Sequence, residues 1–173
     1  VFSHLGSSAE VFALVVEAWR VGAPTPGREQ FAPVWESWNR KDPAQQVADA
    51  VPANRALIEA TTALTETERD RWRADLFGME RDLANVLEMR MSELVVHTWD
   101  IEVVLDPTAV LGPEPAVAAI LDGLAQIIAL MGRPVDDARR IAITTTAPAR
   151  DLMLGFGPEA PMLTSDSSLP SDG

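Results

Sequence analysis

Apolar residues recur at helical spacing over most of the first 131 residues. An apolar residue every three or four positions predicts amphipathic helices that each bury one face. We expect helices over residues 3–19, 28–40, 43–64, 65–72, 81–104 and 114–131. Pro52 should kink or split the third helix, and Thr65 with Glu68 has the form of a capping box that opens the fourth. Short connections between these helices predict a mainly α bundle.

The pattern changes near Arg140. Apolar and polar residues alternate from Ile141 to Thr146, and a second apolar stretch runs from Arg150 to Gly157. This alternation predicts a β hairpin. Two strands alone are only marginally stable, so we expect them to pack on other elements or to belong to a further domain.

Three segments are expected along the chain. Residues 1–134 would form the helical bundle, residues 138–163 the start of a small C-terminal domain, and residues 164–173 a disordered tail of low hydrophobicity. The chain begins with Val instead of Met, inside a helical pattern, so we also expect that the native N-terminus is missing.

Charge and composition narrow the function classes. The 173 residues hold 14 basic and 26 acidic side chains, for a formal charge of −12. Nucleic acid is not an expected partner, because phosphate binding needs Lys and Arg concentrated on one surface. No window approaches the roughly 20 apolar residues that span a bilayer, and no signal peptide precedes the first helix, so we expect a cytoplasmic protein without membrane contact.

Cysteine is absent and histidine occurs twice, at His4 and His97. These 173 residues therefore form no disulfide, thiolate metal site or cysteine nucleophile. Any thiol chemistry must use a thiol from elsewhere. Any site that uses imidazole must be built from one or both of these histidines.

The predicted helix over residues 81–104 carries a polar stripe. Arg90, Glu93, His97 and Asp100 are spaced by three, four and three residues, which places all four on one face of an otherwise apolar helix. Buried charges need partners, so these side chains either pair with one another or surround a polar cavity.

A divalent metal site is one interpretation of this stripe. Glu93 and His97 can point ligand atoms at one position, and packing of the first helix against this one could add His4. Two histidines and one glutamate with open positions are typical of catalytic zinc. Asp100 would orient an imidazole, and Arg90 would supply a positive charge for an anionic ligand.

Ion pairing is the alternative interpretation. Arg90 with Glu93, and His97 with Asp100, could be satisfied pairs that face solvent or a polar seam. Spacing alone does not decide between the two interpretations.

Two sequence strings resemble a known family. HLGSSAEV at residues 4–11 and RMSELVVHTWDI at residues 90–101 resemble the mycothiol-dependent maleylpyruvate isomerase family, part of the DinB-like group of metal-binding helical bundles. The resemblance covers roughly residues 1–134. It implies that His4, Glu93 and His97 bind a divalent metal, usually taken as zinc. It also implies that one further helix precedes the histidine helix, and that the region from Arg140 begins a truncated α/β domain.

The resemblance further implies an activity. We expect a metal-dependent enzyme that uses mycothiol, a low-molecular-weight thiol, for isomerisation or S-transfer on a small electrophilic substrate. Arg90 would hold a carboxylate of the substrate or cofactor, and Asp100 would support His97. A metal-dependent hydrolase that activates water, or a non-catalytic binding or sensor module, remains an alternative at this point.

Overall fold

Helices dominate the fold, as the sequence predicts. The computed structural model describes residues 1–76 and 78–165, without the side chain of Leu130. Within that part the elements are α1 (Phe2–Arg20), α2 (Arg28–Arg40), α3 (Pro43–Thr62), α4 (Glu66–Arg71), β1 (Arg73–Leu76), β2 (Met79–Asp82), α5 (Leu83–Leu105), α6 (Glu114–Met131), β3 (Arg139–Thr146), β4 (Ala149–Phe156) and β5 (Met162–Ser165). The mainly α fold class is confirmed.

The chain divides into two compact units. The first runs from Val1 to His97 and the second begins at Thr98, so that α5 continues through the boundary. The predicted segments 1–134 and 138–163 stay predictions. In the described part of the chain, none of the helices is both long and apolar enough to cross a membrane.

α1 is the central helix of the first unit. It packs along α3 and against α2, and it also meets β1. Its apolar stripe is almost fully shielded from solvent, which explains why this segment is stable as a helix in its context. The buried core of this unit comprises Ala9, Val11, Phe12, Val15, Val16, Phe31, Leu57, Leu64, Trp72, Ala74, Leu76, Leu83 and Val86.

Local hydrogen bonds fix where α3 and α4 begin. The Asp42 side chain accepts from the backbone N–H of Gln45 at 3.0 Å, which caps α3. α3 is continuous across Pro52 and is not split there. The predicted capping box is confirmed, since Thr65 Oγ1 accepts from the Glu68 N–H while the Glu68 carboxylate accepts from the Thr65 N–H.

A short hairpin precedes α5, which the sequence analysis missed. β1 and β2 pair antiparallel across Gly78, and the helix predicted to begin at Arg81 begins at Leu83 instead. Gly78 adopts a positive φ of 80°, and the Asp75 side chain accepts from its N–H at 2.9 Å. Along β1 exposed and buried residues alternate, which is the strand period within a mostly helical sequence.

The second unit holds α6 and an antiparallel sheet in the order β3-β4-β5. The predicted hairpin is confirmed, with Ile141 opposite Leu154 and Ile143 opposite Leu152. A third strand, β5, was not predicted; it pairs with β4 and packs against α6. Thr164 and Ser165, expected in the disordered tail, belong to β5, whereas residues 166–173 of that expected tail lie outside the described residues.

Candidate metal centre

His4 lies in the first turn of α1 and faces α5. Its Nε2 is 2.5 Å from Oε2 of Glu93, although 89 residues separate the two along the chain. This hydrogen bond shows that α1 and α5 approach each other at the positions that the sequence singled out. The predicted proximity of His4 to Glu93 is therefore present in the structure.

His97 completes the cluster from the same helix as Glu93. One turn of α5 separates the two side chains, and His97 Nε2 lies 3.3 Å from the same Oε2 of Glu93. The two imidazole rings stand nearly edge to face, with centroids 5.0 Å apart and planes at 78°. One carboxylate oxygen thus lies beside a nitrogen atom of each histidine.

The three side chains fit a divalent metal ion by ligand type and spacing. Each offers one ligand atom, and these atoms all lie within 4.8 Å of one another. Ligand atoms of a tetrahedral zinc site are about 3.4 Å apart, which follows from bond lengths near 2.1 Å. The separation of His97 from Glu93 already matches this value, whereas the shorter bond between His4 and Glu93 would have to lengthen by about 1 Å.

The cluster is accessible from solution. The side chains of His4, Glu93 and His97 are 52%, 41% and 28% exposed. Three protein ligands at a partly exposed position leave coordination positions for a small molecule, as in catalytic zinc sites. A fourth protein ligand would instead indicate a structural ion.

The electrostatics of the cluster favour an ionised Glu93. The hydrogen bond with His4 lowers the pKa of the Glu93 carboxyl, and the charges of His4, His97 and Arg90 act in the same direction against the effect of burial. The ionised carboxylate is also the form that binds metal.

Arg90 is buried one turn before Glu93 on α5. It is only 4% exposed, and its guanidinium donates to Ser8 Oγ at 2.6 Å, to the Leu5 carbonyl at 3.0 Å and to Asn54 Oδ1 at 3.1 Å. Burial lowers the pKa of Arg90, and the charge of Glu93 partly offsets this. These hydrogen bonds of Arg90 go to uncharged oxygens, while the Glu93 carboxylate bonds to His4.

One protein-family model matches the part of the chain that contains this cluster. The family model "Mycothiol maleylpyruvate isomerase N-terminal domain" matches residues 1–102, which is more than half of the 173 residues. The chain belongs to this family. None of the curated proteins and none of the solved structures compared with the chain matches it.

The family segment contains every predicted site residue. The family model matches residues 1–102 of the chain, and this stretch includes His4, Arg90, Glu93, His97 and Asp100. Asp100 is half-buried on α5 and takes part in an interaction of its own. Its predicted support of His97, and the predicted hold of Arg90 on a carboxylate of the substrate or cofactor, stay predictions.

Asn54 is the polar contact that the sequence analysis missed. It lies on α3 and accepts hydrogen bonds from Nη2 and Nε of Arg90. The sequence does indicate that Asn54 lies on a buried helix face, because the apolar Ala50 and Leu57 stand four residues before it and three after it. A polar residue on a buried face needs a partner, but spacing does not identify that partner as Arg90.

Proposed function

We propose that this chain is a metal-dependent enzyme of the mycothiol maleylpyruvate isomerase family that uses mycothiol for isomerisation or S-transfer on a small electrophilic substrate. His4, Glu93 and His97 are the proposed ligands of a divalent ion, with zinc as the metal that the ligand set suits best. Among the described residues, these three form the only group of histidine and acidic side chains with metal-ligand spacing.

One observation carries the proposal. The helices α1 and α5 place two imidazole nitrogens and one carboxylate oxygen within 4.8 Å of one another, at a partly exposed position. His4 and Glu93 are 89 positions apart in the sequence. The family match covers the same residues and adds the link to mycothiol. The geometry thus supports the metal site, and the family match supports mycothiol as the thiol.

The charge of the ligand set suits a thiol. Glu93 supplies one negative charge and the histidines bind as neutral imidazoles, so a dication at this position keeps a net charge of about +1. A metal ion of this kind, when bound, lowers the pKa of a coordinating thiol and stabilises the thiolate nucleophile. The 173 residues contain no cysteine, which is consistent with a thiol that a small molecule supplies.

Two helices hold the three proposed ligands in position. The i,i+4 spacing on α5 holds Glu93 and His97 on one helix face, while α1 brings His4 from the opposite side. The exposed side of the cluster leaves room for the thiol and the electrophile to meet.

Cobalt substitution tests the thiol step directly. We expect the protein loaded with Co²⁺ to develop a thiolate-to-cobalt absorption band when mycothiol is added. Because the sequence has no cysteine, such a band can come only from the added thiol. The disulfide form of mycothiol and the His97→Ala variant are the controls, and neither should give the band. Co²⁺ binding that is unchanged by mycothiol would contradict the use of this thiol.

A further inference from the structure

Arg90 joins three helices of the first unit at one point. Its guanidinium donates to the Leu5 carbonyl and the Ser8 hydroxyl of α1, and to the Asn54 side chain of α3. Arg90 itself belongs to α5 and is almost completely shielded from solvent. A side chain with these contacts fixes the relative position of the three helices.

Two of these bonds end on α1 close to His4, one beside it and one a turn further along. The Leu5 carbonyl belongs to the residue that follows His4, and Ser8 donates in turn to that carbonyl at 3.2 Å. On α5, Arg90 lies one turn before Glu93. The same guanidinium therefore connects the backbone beside one proposed ligand to the helix that carries the other two.

Arg90 could act on the metal ion through its charge or through the contacts that position the helices, and these two roles predict opposite effects of its removal. The three oxygens that accept its hydrogen bonds are uncharged, and the carboxylate whose charge acts on it is Glu93. A guanidinium near a dication repels it. On charge alone, replacement of Arg90 by an apolar residue would therefore strengthen metal binding, whereas loss of a positioning contact would weaken it.

We infer that Arg90 is a positioning residue that holds the first turn of α1 against α5, so that His4 reaches the oxygen atom shared with His97. The inference rests on the proposed metal site and deepens it. Arg90 acts through the backbone at Leu5 and the hydroxyl of Ser8, without contact with the ion. Sequence spacing alone does not reveal this role, because Leu5, Ser8 and Asn54 are far from Arg90 along the chain.

Metal affinity of Arg90 variants tests the inference. We expect Arg90→Met to weaken Zn²⁺ binding roughly 10- to 100-fold in competition with a chromophoric chelator, as for other residues that orient metal ligands. The Co²⁺ absorption spectrum should change as well, because His4 leaves the coordination set. Arg90→Lys should restore part of the affinity, since an ammonium group can donate to one or two of the same oxygens.

A stability-matched control separates positioning from folding. Val86 is buried on α5 one turn before Arg90, and Val86→Ala removes packing without removing a hydrogen bond. We expect Val86→Ala to lower the midpoint of thermal unfolding but to leave the Zn²⁺ affinity and the Co²⁺ spectrum unchanged. Asn54→Ala provides a milder variant should Arg90→Met fail to fold, with a smaller loss of affinity expected.

The outcomes distinguish this inference from the proposed function. If the wild-type protein binds Zn²⁺ and Arg90→Met, or Asn54→Ala in its place, binds it equally or more tightly with the wild-type Co²⁺ spectrum, the positioning role is overturned and the metal site stands. If the wild-type protein binds neither ion, the proposed function fails and the inference fails with it.

Discussion

Glu93 is the residue through which the two histidines meet. Its Oε2 lies 2.5 Å from His4 and 3.3 Å from His97, so one atom links α1 to α5. An unpaired carboxylate at this partly buried position would be unfavourable, and the imidazoles compensate it. The cluster therefore contributes to the folded state even before a metal ion binds.

The contribution of Glu93 to stability depends on pH with a defined sign. The folded-state pKa of Glu93 lies below the ordinary value of 4.5. Its stabilising effect is thus fully present above the unfolded-state pKa and is lost as the pH falls through the folded-state pKa. In metal-free protein we expect Glu93→Gln to reduce the free energy of unfolding near neutral pH by about 1 kcal/mol or less, because the pair is partly exposed.

Denaturant titrations of both proteins from neutral pH to about pH 3 measure this difference. The gap between wild type and Glu93→Gln should close as the medium becomes acidic. The range that decides lies below the ordinary Glu pKa of 4.5, where Glu93 takes up its proton. A gap that does not narrow between about pH 4.5 and pH 3 would show that the ionised carboxylate of Glu93 is not the source of the difference.

The sequence predicted the ligands more completely than their surroundings. His4, Glu93 and His97 could be singled out because only two histidines exist and one has an acidic residue one helical turn away. The hydrogen bonds of Arg90 to Leu5, Ser8 and Asn54 could not be predicted, because they depend on which helix faces pack together. Contacts of this kind follow from tertiary packing and leave no spacing pattern.

At the scale of the elements, α1 and α2 pack closely where Gly6 faces Trp38. A Cβ atom at Gly6 would overlap the ring of Trp38, which is 1% exposed and also lies under the Lys41 ammonium group at 3.6 Å. Gly6 is two residues after His4 on the same helix. The small residue thus allows the packing that places the His4 turn.

Gly6→Ala should therefore destabilise the protein although Ala favours helices. We expect a loss of about 1–3 kcal/mol from overpacking against Trp38. Gly123 in the middle of α6 is a matched control, because a Cβ atom there meets nothing within 4 Å. Gly123→Ala should stabilise its helix by about 0.5–1 kcal/mol. Denaturant unfolding measures both changes, and equal effects of the two substitutions would contradict the close approach at Gly6.

Long helical segments were the elements that the sequence predicted best. α2 and α6 match their expected ranges, and strong apolar periodicity with Gly or Pro at the ends explains this. The four-residue strands β1, β2 and β5 were missed, because so short a stretch hardly distinguishes alternation from helical spacing. Arg73–Leu76 does alternate exposed and buried residues, but it directly follows the predicted helix over residues 65–72 and is too short to stand out from it.

At the scale of the whole molecule, the three proposed metal ligands all lie in the first compact unit. His4 is near the start of that unit and His97 is its last residue. Metal binding would therefore connect the two ends of this unit across 89 or more residues of chain. A ligand that binds only the folded state stabilises it by mass action.

Hydrogen exchange should reveal this stabilisation segment by segment. We expect addition of Zn²⁺ to slow amide exchange in α1 and α5, and to leave β3, β4 and β5 unchanged, because those strands belong to the second unit. His97→Ala should remove the effect. Slower exchange across both units, or slower exchange that persists in His97→Ala, would indicate that the ion binds elsewhere.

The metal content of the purified protein tests the central claim most directly. Wild type and His97→Ala would be stripped with a chelator, reloaded with Zn²⁺, freed of excess ion and analysed by elemental mass spectrometry. The proposed site predicts about one zinc ion per chain in the wild type and close to none in the variant, which keeps only two of the three ligands. Equal zinc content in the two proteins would contradict a metal centre formed by His4, Glu93 and His97.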